Sequence, residues 1–263
     1  MDNALNLQVS NEFSSYRIKK IISMMNGQDD EIFISKAFTI VDYISASRFI
    51  KKEYIRSGIK GEGDRGFICN KMLVNNGSSL FTAQRCGNII GTISIIADTD
   101  LGIPCRELFK DDVDAVISEH DKAYEIGTLS TTCLYKDNSI VFTMYFHAFI
   151  HCILSKNIDV IFIQVQEKHV KFYINNLFFK RASKTKSHPH YNNLNAVLLA
   201  IDVKGFKHML ATNGCFFFGI GRILHALNMR KKVNQALNDS ASLASDSLSN
   251  DDKSVYRFLC EID

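Results

Sequence analysis

Tryptophan is absent from this 263-residue chain, proline occurs twice, and no pair of its seven cysteines has CxxC spacing. So little proline argues against a chain of domains joined by stiff linkers. The cysteines, odd in number and scattered from Cys69 to Cys260, read as reduced thiols of a cytoplasmic protein, with neither a disulfide framework nor a zinc site. Charge of one sign is scarce too. A net +3 from 31 basic and 28 acidic residues is too even for the dense basic stripe of a nucleic-acid binder. Met1-Asp2-Asn3-Ala4 has no basic patch leading into an apolar core, so no signal peptide is expected. The longest apolar run, Ile140 to Leu154, falls short of the roughly 20 residues of a membrane span and reads as a buried helix. What the chain does have is a hydrophobic content of 46%, enough for one large domain or one domain with an appendage.

Three regions are expected: an extension over 1–30, a patterned domain over 31–213, and an apolar helical segment with a polar tail over 214–263. Glu31 to Thr39 alternates as a strand does, and Asp42 can cap a helix that runs to about Ser57 and is ended by Gly58. Strands are predicted at Phe67–Val74, Ser79–Arg85 and Ile89–Ile96, with turns at Asn75–Ser78 and Cys86–Asn88. Leu101 to Cys105 reads as a loop, Asp111 to His120 as a short helix with acids in its first turn, and Ala123 to Cys133 as a strand. A helix over Asn138–Ser155 then crosses to the apolar strand Ile158–Val165. A short helix holding Tyr173 follows, and Asn195–Val203 closes the sheet. The order predicts an α/β (α+β) fold whose mostly antiparallel sheet switches to a parallel crossover. Parallel neighbours can splay apart at such a switch and leave backbone donors and acceptors for a ligand.

Three segments carry a family resemblance. The first is Ser47-Arg48-Phe49 with Tyr54 and Gly58. The second is Gly91-Thr92-Ile93-Ser94 with Asp98, Gly102-Ile103-Pro104 and Tyr124-Glu125-Ile126-Gly127-Thr128-Leu129-Ser130. The third is Lys168 to Arg181, which contains Tyr173. Through them the chain resembles, from about Ala37 to Asp202, the long-chain N-acyl amino acid synthases, GNAT-fold relatives of the acyl-homoserine-lactone synthases. The resemblance implies a GNAT-like mixed sheet flanked by helices, with helical extensions at both ends. It also implies transfer of a fatty acyl group from acyl carrier protein to the amine of an amino acid. The acyl thioester on phosphopantetheine is then a co-substrate, and no other cofactor or metal is implied. Acetyl-CoA users of this fold hold a pyrophosphate in a glycine-rich loop. Here the corresponding residues, Cys133 to Ser139, contain no glycine, which favours a carrier-protein donor.

Glu125 interrupts an apolar strand, and a carboxylate facing the core needs a partner or a raised pKa. It reads as a base or holder of the substrate ammonium, as the resemblance implies, or as an ordinary ion pair with Arg48. Arg48 and Tyr54, about 9 Å apart along one helix, could bind the acceptor, with Arg48 clamping its carboxylate; a solvated helix charge is the other reading. Tyr173 would face the departing sulfur, or else pack as a core aromatic beside Phe172, Phe178 and Phe179. His169 could assist it or cap a surface helix. Backbone amides of Leu129, Ser130, Thr131, Thr132 and Cys133 would hold the thioester oxygen. Cys133 as a nucleophile is disfavoured, since direct amine attack needs no covalent step. His147 and His151, at i and i+4, read as a core pair, and His188-Pro189-His190 as a loop.

Lys156, Lys168, Lys171, Lys180, Arg181, Lys184 and Lys186 could meet an acidic carrier protein or form a solvated surface. Residues 214–232 could pack over the sheet, or make peripheral membrane contact. Other functions stay open at this point: a lactone synthase, a CoA-dependent N-acetyltransferase, or a non-catalytic acyl-binding module of the same fold.

Overall fold

The alternation of apolar and polar residues becomes an eight-stranded sheet of order β1-β2-β3-β4-β5-β8-β6, with β7 paired to β8. The structure is a computed structural model that describes residues 32–60, 67–68, 70–117, 121–132, 158–177, 179–204 and 248–261. Within the crossover it describes 140–141, 143–145, 147–148 and 151. The extension over 1–30, Cys133 and the rest of the glycine-free loop, Lys156, Phe178 and the 214–232 segment lie outside the described residues.

β1 (Phe33–Lys36), β2 (Ser79–Arg85), β3 (Asn88–Ala97) and β4 (Ala123–Thr131) form an antiparallel run. β5 (Val160–Gln166) then joins β4 in parallel. β8 (Leu194–Asp202) runs antiparallel to β5, and it also takes the short β6 (Lys180–Arg181) and β7 (Lys186–His188). Every described residue of the crossover is helical. This is the mixed, mostly antiparallel, helix-flanked sheet that the pattern predicts.

Each sheet face carries its own core, because successive side chains of a strand point to opposite sides. Ile93, Ile95, Ile126, Ile161, Ile163, Val197 and Leu199 pack with Ile140, Met144 and Ala148 of the crossover. On the other face Ile96, Ala123, Phe162, Leu198 and Ala200 meet three helices: α1 (Ile40–Arg56), α2 (Arg106–Asp114) and α4 (Asn250–Glu261). α3 (Val170–Asn176) follows β5 after a 3₁₀ turn at Glu167–His169.

Several local predictions need correction. Phe67–Val74 is no strand. Asn70 caps a 3₁₀ turn, Lys71–Val74, by accepting the Met72 amide through its side chain at 3.0 Å, which buries Leu73 and Val74 without sheet pairing. α2 begins at Arg106, five residues before the predicted start, and ends at Asp114, because the Glu125 carboxylate fixes the Cys105 backbone at its entry. The cap of α1 is Thr39. Its hydroxyl accepts the Asp42 amide at 3.2 Å, and Asp42 reciprocates at the Thr39 amide at 2.9 Å, a capping box. His188 ends a paired strand and only its successors form the turn. Cys260 is disulfide-bonded, while Cys86 and Cys105 are free.

α4 is anchored by one residue. Tyr256 is fully buried, its hydroxyl 3.2 Å from Ser47 Oγ and its ring edge-on to Tyr43 at 5.6 Å. Tyr256→Ala should cost about 3–5 kcal/mol in urea denaturation, and Tyr256→Phe about 1 kcal/mol. Equal losses for the two would show that the ring contributes nothing.

Candidate active site between two parting strands

β4 and β5 stay paired over only four residues, from Ala123↔Val160 to Ile126↔Ile163. Beyond that point β4 stays with β3 as far as Thr131, and β5 stays with β8 as far as Gln166. The facing edges are thus left without a strand partner. Thr128 marks the parting: its φ is +47°, unusual for a β-branched residue. Its carbonyl accepts the Thr92 hydroxyl at 2.8 Å, and its own Oγ1 is buried with no hydrogen-bond partner among the described residues. Further on, the Thr132 amide donates to Ile90 O at 2.9 Å. Amides alternate sides along a strand, so those of Leu129 and Thr131 face the open edge while those of Ser130 and Thr132 face β3. Ser130 and Thr132 are therefore removed from the expected oxyanion set.

Glu125 lies just before the parting and is only 2% exposed. Its Oε2 accepts the Cys105 amide at 2.6 Å, and its Oε1 accepts Gln164 Nε2 at 3.0 Å. Burial raises its pKa to about 7, outweighing the Gln164 and Cys105 hydrogen bonds that pull it down; nearby Glu107 raises it further. The carboxyl thus titrates near neutrality, as a general base must. The other reading, an ion pair with Arg48, is not formed. Arg48 is exposed on α1. Six helical residues carry Arg48 and Tyr54 about 120° apart around the axis, which the axial distance alone did not reveal.

Tyr54, half-buried, does reach the cluster. Its phenol is pushed above the ordinary range by burial, then by Tyr191, Tyr173 and Glu125. Tyr191, from the turn after β7, meets the Tyr54 ring edge-on at 6.0 Å and stands 4.4 Å from His188. Burial pushes the Tyr191 phenol up to about 12, with Glu125 and Glu107 adding to it. Burial alone lifts Tyr173 to about 12. The Tyr173 ring is edge-on to Phe172 at 5.4 Å and to Phe179 at 5.9 Å. His169 is exposed at the entry to α3, makes no side-chain cap bond, and stands outside the cluster. Of the cationic edge, Lys168, Lys171 and Lys184 are exposed. Lys186 instead binds Asp112 at 2.7 Å and covers the Phe109 ring.

The structure therefore joins Glu125, Tyr54 and Tyr173, and adds Gln164, Cys105 and Tyr191, which sequence reasoning missed. Gln164 was visible as the one polar residue in the apolar run Val160–Val165. Tyr191 and Cys105 had no local signal, since tertiary contact alone brings them in. The segment carrying Cys105 also lines an open cleft of about 660 Å³ with Asp98, Asp100, Leu101, Arg106 and Glu107.

Glu125→Gln gives the test. A carboxyl whose folded pKa lies above its unfolded value adds stability at low pH that is lost as pH rises through about 7. Relative to wild type, the variant should be nearly neutral at about pH 4 and gain about 3 kcal/mol by about pH 8. Thermal melts across that range check it, and a gap independent of pH would contradict the buried titration.

Comparison with known proteins places this geometry. The family model for N-acyl amino acid synthase FeeM matches residues 45–202, more than half the chain. Among solved structures, FeeM, an N-acyl amino acid synthase from uncultured soil microbes, is 19% identical with a TM-score of 0.56, over 67% of this chain and 93% of that one. TofI, solved in a ternary complex with an inhibitor and MTA, is 12% identical with a TM-score of 0.49, over 66% and 91%. An acetyltransferase of the GNAT family from Streptococcus pneumoniae is 12% identical with a TM-score of 0.48, over 65% and 99%. No relative was found among the curated proteins.

Proposed function

The chain belongs to the N-acyl amino acid synthase FeeM family and is an N-acyltransferase, and from that premise we propose that it joins a fatty acyl thioester to the amine of an amino acid. The observation that carries the reading is the parting of β4 and β5 beside a buried carboxyl that titrates at about 7. An acyl chain's pantetheine tether lies along the open edges and presents its carbonyl to the Leu129 and Thr131 amides. Glu125 takes one proton from the acceptor ammonium. The freed nitrogen lone pair forms the C–N bond, and the oxyanion is held by the two amides. Collapse breaks the C–S bond, the electron pair leaves on sulfur, and the nitrogen gives up a second proton to become the amide. The sulfur leaves as a thiol, and the proton on Glu125 returns to solvent.

Tyr173 serves as a hydrogen-bond donor to that sulfur. Its phenol at about 12 lies some distance above a thiol near 8.5, so complete proton transfer would be uphill by about 5 kcal/mol. A hydrogen bond to the developing charge needs no such transfer. Arg48, exposed on α1, is assigned no part in holding the acceptor carboxylate.

The donor we favour is an acyl carrier protein thioester. Support comes from the glycine-free sequence Cys133–Ser139 and from exposed Lys168, Lys171 and Lys184, cations suited to an acidic partner. Lys186 is left out because it is committed to Asp112.

Incubation with long-chain acyl thioesters, on carrier protein and on CoA, and the twenty protein amino acids should give an N-acyl amino acid by mass spectrometry. The same assay with no N-acyl product on either donor would overturn the reading. kcat/KM should rise with pH through an apparent pKa of about 7. Glu125→Gln should lower kcat by about 10²–10⁴ and remove that limb. Tyr173→Phe should lower kcat by about ten-fold while leaving the limb in place.

A further inference from the structure

Three strands put an unusual row of residues beside Glu125. Ser94 of β3 stands directly across from Gly127 of β4. The β4–β5 register ends at Ile126↔Ile163, so Gln164 is the first residue of β5 past the parting. All three belong to the face that carries Glu125, because residues two apart on a strand share a face. Glycine at 127 leaves a gap, bordered by Ser94 and Ile96, on a face that also carries two polar side chains, Ser94 and Gln164.

Both of those side chains are short of a partner. Ser94 is fully buried, and its Oγ has no hydrogen-bond partner among the described residues. Gln164 spends its Nε2 on Glu125 at 3.0 Å, while its Oε1 is buried and has no partner there either. Unsatisfied buried acceptors are costly and uncommon, so each needs an explanation. A β-carbon on Gly127 would lie 3.2 Å from Ser94 Oγ, so any side chain there would crowd the hydroxyl and fill the gap. Gln164 reaches back to Glu125 at 3.0 Å, so its amide lies on the same face as the Ser94 hydroxyl.

We propose that Glu125, Gln164 and Ser94 form a tripod for the primary ammonium group of the acceptor, so that the enzyme acylates primary amines and rejects secondary ones. This rests on the N-acyltransferase reading above and names the part of that site that grips the nucleophile. Three N–H bonds of R–NH₃⁺ meet three acceptors: a carboxylate oxygen, Gln164 Oε1 and Ser94 Oγ. When one proton passes to Glu125, the ammonium becomes R–NH₂ and the carboxylate becomes the acid. The other two N–H bonds stay on Gln164 and Ser94. The fourth corner is the bond to R, so the lone pair is left facing the Glu125 acid, and inversion at nitrogen turns it toward the thioester. An N-methyl group would have to occupy one of the three sockets.

The test uses the full chain, the acyl thioester donors and amino acid panel above, and the N-methyl derivative of whichever amino acid serves best. Wild type should acylate the primary amine and leave the N-methyl compound unreacted. Ser94→Ala and Gln164→Met should each raise the acceptor KM by about ten-fold or more. Gln164→Met should also move the acid limb of kcat/KM to higher pH, because the donor that stabilises the Glu125 carboxylate is gone. Ser94→Ala supplies the readout that a structural role would not give. Its hydroxyl has no partner to lose, so its melting temperature should equal or exceed that of wild type while acceptor binding fails. Equal rates on the N-methyl compound would overturn the tripod, as would variants that keep the wild-type KM. Failure of wild type to acylate any amine would instead overturn the N-acyltransferase reading itself, and the tripod with it.

Discussion

A β-strand has two hydrogen-bonding edges, and in this sheet β4 and β5 each have one edge committed along the full length of the strand. β3 holds β4 as far as Thr131, and β8 holds β5 as far as Gln166. The two strands pair with each other only up to Ile126 and Ile163. Because their other partners lead them apart, the sheet opens without any strand becoming an outer edge. Backbone donors lie exposed in the middle of a well-packed structure, where they are oriented and not free to pair with another chain. The positive φ of Thr128 and the register shift between Thr92 and Ser94 lie at that opening. They are the local distortions that let β4 turn from one neighbour while keeping the other.

The opening explains why a carboxyl can remain buried next to it. Desolvation opposes the charge on Glu125, and two hydrogen bonds oppose desolvation. The balance leaves its pKa raised to about 7. With neither donor the group would stay protonated at neutral pH and could accept nothing. With an arginine against it, it would be ionised over the whole physiological range and a weaker base. Neutral partners, an amide N–H and a glutamine, hold it between those extremes. The absence of Arg48 from the site is therefore consistent with the chemistry: a full countercharge would make Glu125 a poorer proton acceptor.

How much of this was legible in the sequence varied with the range of the forces involved. The strand pattern from Ser79 to Ala97 and the crossover to Val160–Val165 depend on nearest-neighbour alternation, and they were readable. Glu125 stood out as an exception within an apolar strand, and Tyr173 through the family resemblance of its segment. α2 was misplaced because its start is set by Cys105 bonding to a residue twenty positions away, which local acid content cannot report. Phe67–Val74 had strand composition but is held by the Asn70 side chain, a local competitor that periodicity ignores. Arg48 misled because spacing along a helix was considered without rotation around it. Tyr191 enters only through the β7–β8 pairing.

The orphaned oxygens carry the same logic a step further. A folded protein gains nothing by burying Ser94 Oγ or Gln164 Oε1 without a partner, and apolar replacements of similar shape would be at least as stable. Glycine at 127 likewise forgoes packing that alanine could supply if the hydroxyl opposite were absent. Three neighbouring positions thus depart from the most stable choice in one direction: each leaves room for, or accepts from, a donor that the chain itself does not provide. Departures of this kind gather where stability has been given up for binding. That they share a face with the buried Glu125 carboxyl is a stronger argument for a nitrogen nucleophile at this position than any one of them would be separately.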